Sequence, residues 1–328
     1  MRDSSRLDTP KDAFMTKTVL VTGAAGFIGS AVATALSAQG NRVIAVDALL
    51  SGLYPKDEKM ARYRVLGSLP GVETYELDLR TDNLSSLPGE ITHVINEAAM
   101  PGLGLSWQDF DLYASCNLNA TARLIEASKH WPLERFVQIS TSSVYGKNAV
   151  GDETLPTAPV SPYGVTKLAA ENLALAHWRD AGFPATILRY FSVYGPGQRP
   201  DMAYRKFIAT ALRGEPINLY GTGEQTRSNT YIDDCVDVTI AALDNGGVGE
   251  IYNISGSQKR SINEALAIME SQLGAPIALN RHPEARGDQA HTMGHTDKAR
   301  EELGFLNSVT LEEGLARQIA WQRAEGLG

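Results

Sequence analysis

The sequence predicts an α/β fold: a doubly wound parallel sheet followed by a smaller C-terminal α/β substrate-binding lobe. Short β-rich runs alternate with helical stretches through the first 191 residues, the pattern of parallel strands joined by crossover helices. A glycine-spaced loop, GAAGFIG (23–29), stands between the first such run and the first helix. After Phe191 the alternation loosens into segments punctuated by Gly and Pro.

Each element has its own justification. KTVLVTG (17–23) is an apolar, β-branched run of buried-strand length, and FIGSAVATALSAQG (27–40) is a helix closed by Gly40. RVIAVDA (42–48), VETYELDL (72–79), HVINEAA (93–99), RFVQIST (135–141) and PATILRYF (184–191) read as further strands. Helical patterns occupy 109–130 and 162–181. Beyond Phe191 the pattern predicts helices at 201–213, 260–273 and 310–325, and a strand EIYNISG (250–256) that returns to the sheet. The organisation expected is therefore a disordered extension (1–14), a nucleotide-binding part (15–191, rejoined by about 232–256), and a lobe from 192–231 and 257–328.

Composition narrows the class. The chain has 328 residues, 43% apolar and 21% charged, enough for a full core. Its 30 basic and 38 acidic residues leave a net charge of −8, which opposes nucleic acid as a bulk partner. No apolar run approaches the roughly 18 residues needed to span a bilayer, and the polar first fourteen residues do not read as a signal peptide. Cys116 and Cys235 lie far apart without metal-ligand spacing, and His282, His291 and His295 lack a helix to hold a metal. The expectation is a reduced, cytoplasmic protein with no metal, no membrane and no nucleic acid among its partners.

The loop at 23–29 carries the first chemistry. Gly23 permits the tight turn, Gly26 lets the backbone approach a pyrophosphate, and Gly29 allows close helix–strand packing. A lone glycine motif can be no more than a strand–helix turn, but here strand, motif and helix fall in register. Asp47 ends the second strand, where a carboxylate accepts hydrogen bonds from ribose hydroxyls and repels a 2′-phosphate. A dinucleotide, NAD rather than NADP, is the cofactor expected. Asp78, at the end of the third strand, is a candidate adenine contact.

SPYGVTK (161–167) carries the second. Tyr163 and Lys167 share a helix face at i,i+4. A phenol with a pKa of about 10 is a poor base at neutral pH, but an ammonium and a cationic nicotinamide would stabilise the phenolate. Upstream, QISTSSVYG (138–146) ends a strand in small hydroxyl residues, where Thr141 and Ser142 can meet a reacting oxygen. Taken alone, the Tyr–Lys pair is as well explained by an ordinary surface pair; the two stretches together point to chemistry.

In order, TGAAGFIG (22–29), DL (78–79), NEAA (96–99), STSSVYG (140–146), SPYGVTK (161–167) and RYFSVYGPGQRPDM (189–202) resemble the extended short-chain dehydrogenase family. Within it the chain is similar to the NAD-dependent nucleotide-sugar epimerases and dehydratases, from about Lys17 to Trp321. The resemblance implies a Rossmann domain, tightly held NAD, a nucleotide-sugar lobe, and a homodimer through the helices at 109–130 and 162–181. It implies a catalytic set Thr141, Tyr163 and Lys167. It places Phe27, Ile28, Leu79, Ala98, Ala99 and Tyr190 beside the glycines and aspartates as cofactor contacts. Where the dehydratase branch has an Asp-Glu pair, this chain has Ser142 and Ser143, and serine is too weak an acid to replace it. A UDP-sugar 4-epimerase is therefore expected, with an NDP-sugar dehydratase or decarboxylase, or a non-catalytic NAD-binding protein, as the alternatives.

The loop SVYGPGQRPDMA (192–203) resembles the UDP-glucuronate branch more than the UDP-glucose branch. There Ser192 replaces an asparagine, and Arg199 is a candidate partner for a C6 carboxylate, although an arginine that merely anchors its loop fits as well. The resemblance also implies substrate contacts from Tyr220, Arg227, Arg286 and Asp288. Two departures stand out. Glu97 puts a charge at a strand end where the family is apolar, and Asn117 follows Cys116 at the family's active-site asparagine.

Overall fold

The computed structural model describes residues 17–51, 55–283 and 289–328. The expected N-terminal extension (1–14), Arg286 and Asp288 lie outside the described residues. Seven parallel strands form the main sheet: β1 (Thr18–Thr22), β2 (Arg42–Asp47), β3 (Val72–Glu76), β4 (His93–Asn96), β5 (Arg135–Thr141), β6 (Ala185–Tyr190) and β7 (Ile251–Ile254). Their order across the sheet is β7-β6-β5-β4-β1-β2-β3. The order reverses between β1 and β4, with Thr22 opposite Asn96, so a crevice opens there at the strand C-termini.

Both faces of the sheet are covered, which is why its strands read as near-continuous apolar runs. On one side Val19, Val21, Ile95 and Leu188 pack against α1 (Phe27–Ala38), α7 (Ile232–Asn245) and helices beyond them. On the other, Leu20, Val94, Phe136 and Ile187 pack against α4 (Ala120–Ser128) and α5 (Pro162–Ala181).

Several expected elements end earlier or break. The third and fourth strands stop at Glu76 and Asn96, so Leu77 to Leu79 and Glu97 to Ala99 lie in the loops above the sheet. The single helix expected over 109–130 is interrupted: α3 (Phe110–Ala114) and α4 flank a π turn at Ser115–Asn119. There the Asn117 side chain accepts from Met100 N at 2.7 Å and donates to Thr166 Oγ1 at 3.0 Å, tying the turn to α5. A helix α2 (Lys56–Gly67) was not visible in the apolar pattern because Leu66 is its single buried residue among those described. Polar contacts hold it instead: Tyr63 OH donates to Ala45 O, and Glu58 bonds Arg62 on its own helix and Arg205 on α6 (Ala203–Leu212).

After β6 the chain builds small sheets over the crevice. Val193–Tyr194 pairs with Thr230–Tyr231, and Ile217–Tyr220 with Leu279–His282. A four-stranded sheet contains Lys259–Ser261, Thr226–Ser228, His291–Gly294 and Asn148–Gly151. The last of these comes from the first part of the chain, pinning the segment after Thr141 to the later one. α8 (Ile262–Leu273), with a Ser261–Glu264 capping box, α9 (Asp297–Leu303) and α10 (Leu311–Ala324) complete the fold.

Candidate active site

A cavity of about 600 Å³ lies over the switch point between β1 and β4. Its floor is the glycine loop. Gly23 has φ +66, and a Cβ there would stand 3.0 Å from the Ala98 backbone. A Cβ on Gly29 would stand 2.3 Å from Gly23 O, so helix and strand approach only because that atom is missing. The loop is thus a bare backbone cradle at a helix N-terminus, the surface a pyrophosphate requires.

Gly23, Gly26, Phe27, Ile28, Gly29, Asp47, Asp78, Leu79, Ala98, Ala99 and Tyr190 all line this cavity. Asp47 is buried, and its carboxylate is more heavily engaged than the sequence suggested. Oδ2 accepts from Ala25 N at 3.0 Å; Oδ1 accepts from Leu49 N and from Lys59 Nζ, each at 2.8 Å. Lys59, on α2, adds a cation beside that carboxylate. Asp78 is gripped bidentately by Arg80, which holds its carboxyl below the usual range, so a paired and not a bare carboxylate lines that end. Cys116 also lines the cavity; burial pushes its thiol up, consistent with an inert packing role.

Thr141, Ser142, Tyr163 and Lys167 converge at the opposite end. Thr141 ends β5, caps the following turn by accepting from Ser143 N, and donates to Ser143 Oγ at 3.3 Å. Ser161 caps α5 and Pro162 opens it, which aims the first-turn Tyr163 and, one turn on, Lys167 at the crevice. Burial pushes the Tyr163 phenol up to about 12, against the pull of Arg199 and a hydrogen bond with Thr141. Burial draws the Lys167 ammonium below its ordinary value, and Glu97 and Glu171 hold it up. The electrostatic partners of the phenol are thus Arg199 and Thr141 first, whereas Lys167 answers to the two glutamates.

The later segments close the cavity with Ser192, Arg199, Arg227 and Gln289. Arg199 pairs with Asp201 through two hydrogen bonds. Arg227 Nη1 donates to Thr226 O at 2.9 Å. Gln289 was not singled out in the sequence. It is buried, and its Nε2 donates to Ser142 O and Gly146 O, while Ser142 Oγ donates to its Oε1. It fixes the turn that carries the serines, and nothing in the local pattern of RGDQAHT marks it. Tyr220 stands apart: it is 52% exposed, stacks on His282 at 5.1 Å and does not line the cavity.

Among the described residues no group of three or more His, Cys, Asp or Glu is placed to hold a metal, and no helix is long and apolar enough to cross a membrane. The cradle, the acidic end of β2 and the Tyr163 end together suit a dinucleotide with a redox-active ring.

A sheet of this order with such a crevice defines a doubly wound, Rossmann-type α/β protein. The family model for the NAD dependent epimerase/dehydratase family matches residues 19–255, and the chain belongs to that family. Its relatives narrow the class. It is 36% identical to an uncharacterized UDP-glucose epimerase of Bacillus subtilis, covering 92% of this chain and 97% of that one. It is 35% identical to the UDP-glucuronate 4-epimerase of Thermodesulfobacterium geofontis, covering 93% and 95%. In three dimensions it is similar to UDP-glucuronic acid 4-epimerase from Bacillus cereus solved with UDP-glucuronic acid and NAD, with a TM-score of 0.91, 37% identity and coverage of 94% and 99%.

Proposed function

We propose that this protein is an NAD-dependent UDP-sugar 4-epimerase acting on a UDP-hexose or UDP-hexuronate, and that its substrate is UDP-glucuronate. One observation carries the reaction: Thr141, Tyr163 and Lys167 share a cavity in which Ser142 and Ser143 stand where an eliminating acid–base pair would have to be. Bound NAD supplies the acceptor, and later the donor, of the hydride.

Tyr163 removes the proton from the sugar's 4-hydroxyl as C4 is oxidised, and returns it when C4 is reduced. Thr141, hydrogen-bonded toward the phenol, orients that oxygen. Lys167, buried at the same end of the cavity, adds a second positive charge to that of Arg199, and the two together favour the phenolate. Burial holds the phenol up, and the positive charge of an oxidised nicotinamide beside it would favour loss of its proton. The 4-keto sugar must then present its other face, and Gln289 keeps the serine turn in place while it does. Arg227 suits the diphosphate. Arg199 lines the cavity and its charge suits a C6 carboxylate, which would share the guanidinium with Asp201.

The reading extends to a homodimer in the cytoplasm. Leu105, Trp107, Phe110 and Val165 are each 40–50% exposed on and beside α3 and α5, which supports pairing there. Both cysteines are buried thiols, which supports a reducing compartment. The test is mass-resolved NMR of purified protein incubated separately with UDP-glucuronate, UDP-glucose and UDP-N-acetylglucosamine without added NAD. A C4 epimer of unchanged mass from UDP-glucuronate is expected. Loss of water or of carbon dioxide would replace the epimerase with a dehydratase or decarboxylase, and no turnover of any sugar would favour a non-catalytic NAD-binding protein.

A further inference from the structure

None of the roles above uses Glu97. It follows the last residue of β4 at the switch point and lines the cavity. Its Oε2 is fully buried and has no hydrogen-bond partner. Burying a carboxyl without a partner costs free energy and is uncommon in a native structure unless the group has work to do there. The titratable groups that face it are Lys167 and Tyr163 from α5, Tyr190 from β6 and Cys235 from α7, with Glu171 one turn beyond Lys167. Lys167 is the cation among them, and it is shared with Glu171, itself already paired with Arg189. Glu97 is thus an under-compensated carboxyl in the wall of the compartment where hydride exchange has to take place, since Tyr163 handles the proton of the same carbinol.

We propose that Glu97 is an electrostatic tuning residue: its carboxylate stabilises the cationic, oxidised cofactor over the neutral, reduced one, so that the keto-sugar regains its hydride before it can leave. A catalyst that must restore its cofactor in every turnover needs that bias. A negative charge in a low-dielectric wall discriminates between a ring that carries +1 and one that carries none. The same charge balance makes binding proton-linked. Burial pushes the carboxyl up, against the pull of Lys167, and a cationic ring beside it would draw it down. Uptake of the oxidised form therefore releases a proton from Glu97, whereas uptake of the reduced form does not.

The inference rests on the NAD reading of the cavity and not on the identity of the sugar. Full-length wild type, Glu97→Gln and Glu97→Leu would be equilibrated with an equimolar mixture of NAD+ and NADH at about pH 6 and about pH 9, and passed through gel filtration to remove free nucleotide. The bound reduced-to-oxidised ratio is read from absorbance against total nucleotide. At the higher pH both variants should hold a ratio about tenfold above wild type, and at the lower pH wild type should approach them. Glu97→Leu guards against a folding artefact, because it replaces a buried unpartnered carboxyl with an apolar group. Equal ratios in all three proteins at both pH values would overturn the proposal, as would loss of all nucleotide from both variants, which would make Glu97 a structural support. A wild type that retains no nicotinamide nucleotide would break the cofactor reading itself.

Discussion

Glu171→Gln should cost this protein more stability than any other single-atom exchange in the site's framework. Glu171, on α5, and Arg189, on β6, have side chains only 1% and 4% exposed. Arg189 Nε donates to Oε1 and Oε2 at 3.0 and 3.2 Å, and Nη2 donates to Oε2 at 2.7 Å. Ser140, one residue before Thr141, also donates to Oε1. On its far side Arg189 donates to Tyr145 OH at 2.8 Å, and that hydroxyl donates to Asn253 on β7. The network therefore ties α5 to β5, β6 and β7. A glutamine of the same shape presents an amide N–H₂ where a guanidinium donor needs an acceptor, and leaves the arginine charge buried without a counter-ion. Breaking one partner of such a pair costs about 3–5 kcal/mol, a fall of about 5–10 °C in Tm for a chain of this size class. Thermal and urea unfolding would measure it. The double variant Glu171→Leu with Arg189→Met should recover most of that loss, since an apolar pair of similar volume removes both charges together. It should nonetheless remain a slower enzyme, because Glu171 also helps to keep Lys167 charged. A loss below about 1 kcal/mol for Glu171→Gln would refute the reasoning.

Other outcomes follow from the same geometry. Tyr163→Phe should lower kcat by about 10²–10⁴-fold while the purified protein keeps its NAD, measured by turnover and by nucleotide content. Arg199→Met should lower kcat/KM for UDP-glucuronate by about 10–100-fold, the worth of a charge-assisted bidentate contact, and change UDP-glucose turnover far less; an equal loss on both sugars would reduce Arg199 to a loop anchor. His93 is 4% exposed, and burial holds its imidazole below the ordinary value against the pull of Glu134. Because its folded value is depressed, its stabilisation is present above the unfolded value of about 6.5 and is lost as pH falls through the lower folded one. Tm measured across that window should decline in wild type and flatten in His93→Gln.

Much of the framework is legible in the linear order of residues. Strands such as VLVT and VIAV announce themselves because both faces of a parallel sheet are buried, and the glycine loop because backbone approach needs three missing Cβ atoms at a fixed spacing. The Tyr163–Lys167 spacing places both on one face of α5 for the same local reason. Helix α2 leaves no apolar signature because it rests on Asp47, Glu58 and Tyr63 contacts instead of an apolar stripe. The break at Ser115–Asn119 has no local signature because it depends on Asn117 reaching Met100 and Thr166.

By itself, then, the sequence determined the parallel sheet, the glycine cradle and the placing of Tyr163 and Lys167 on one helix face, because each is written in short-range periodicity or in a contiguous motif. Tertiary structure alone decided that Lys59 neutralises Asp47, that Gln289 braces the Ser142 turn, that Arg199 joins Tyr163 in the wall of one cavity, and that Glu97 Oε2 is buried without a hydrogen-bond partner. Those pairings join residues far apart in the chain, and the energy of a buried polar group depends on what the fold brings against it, which no local pattern encodes.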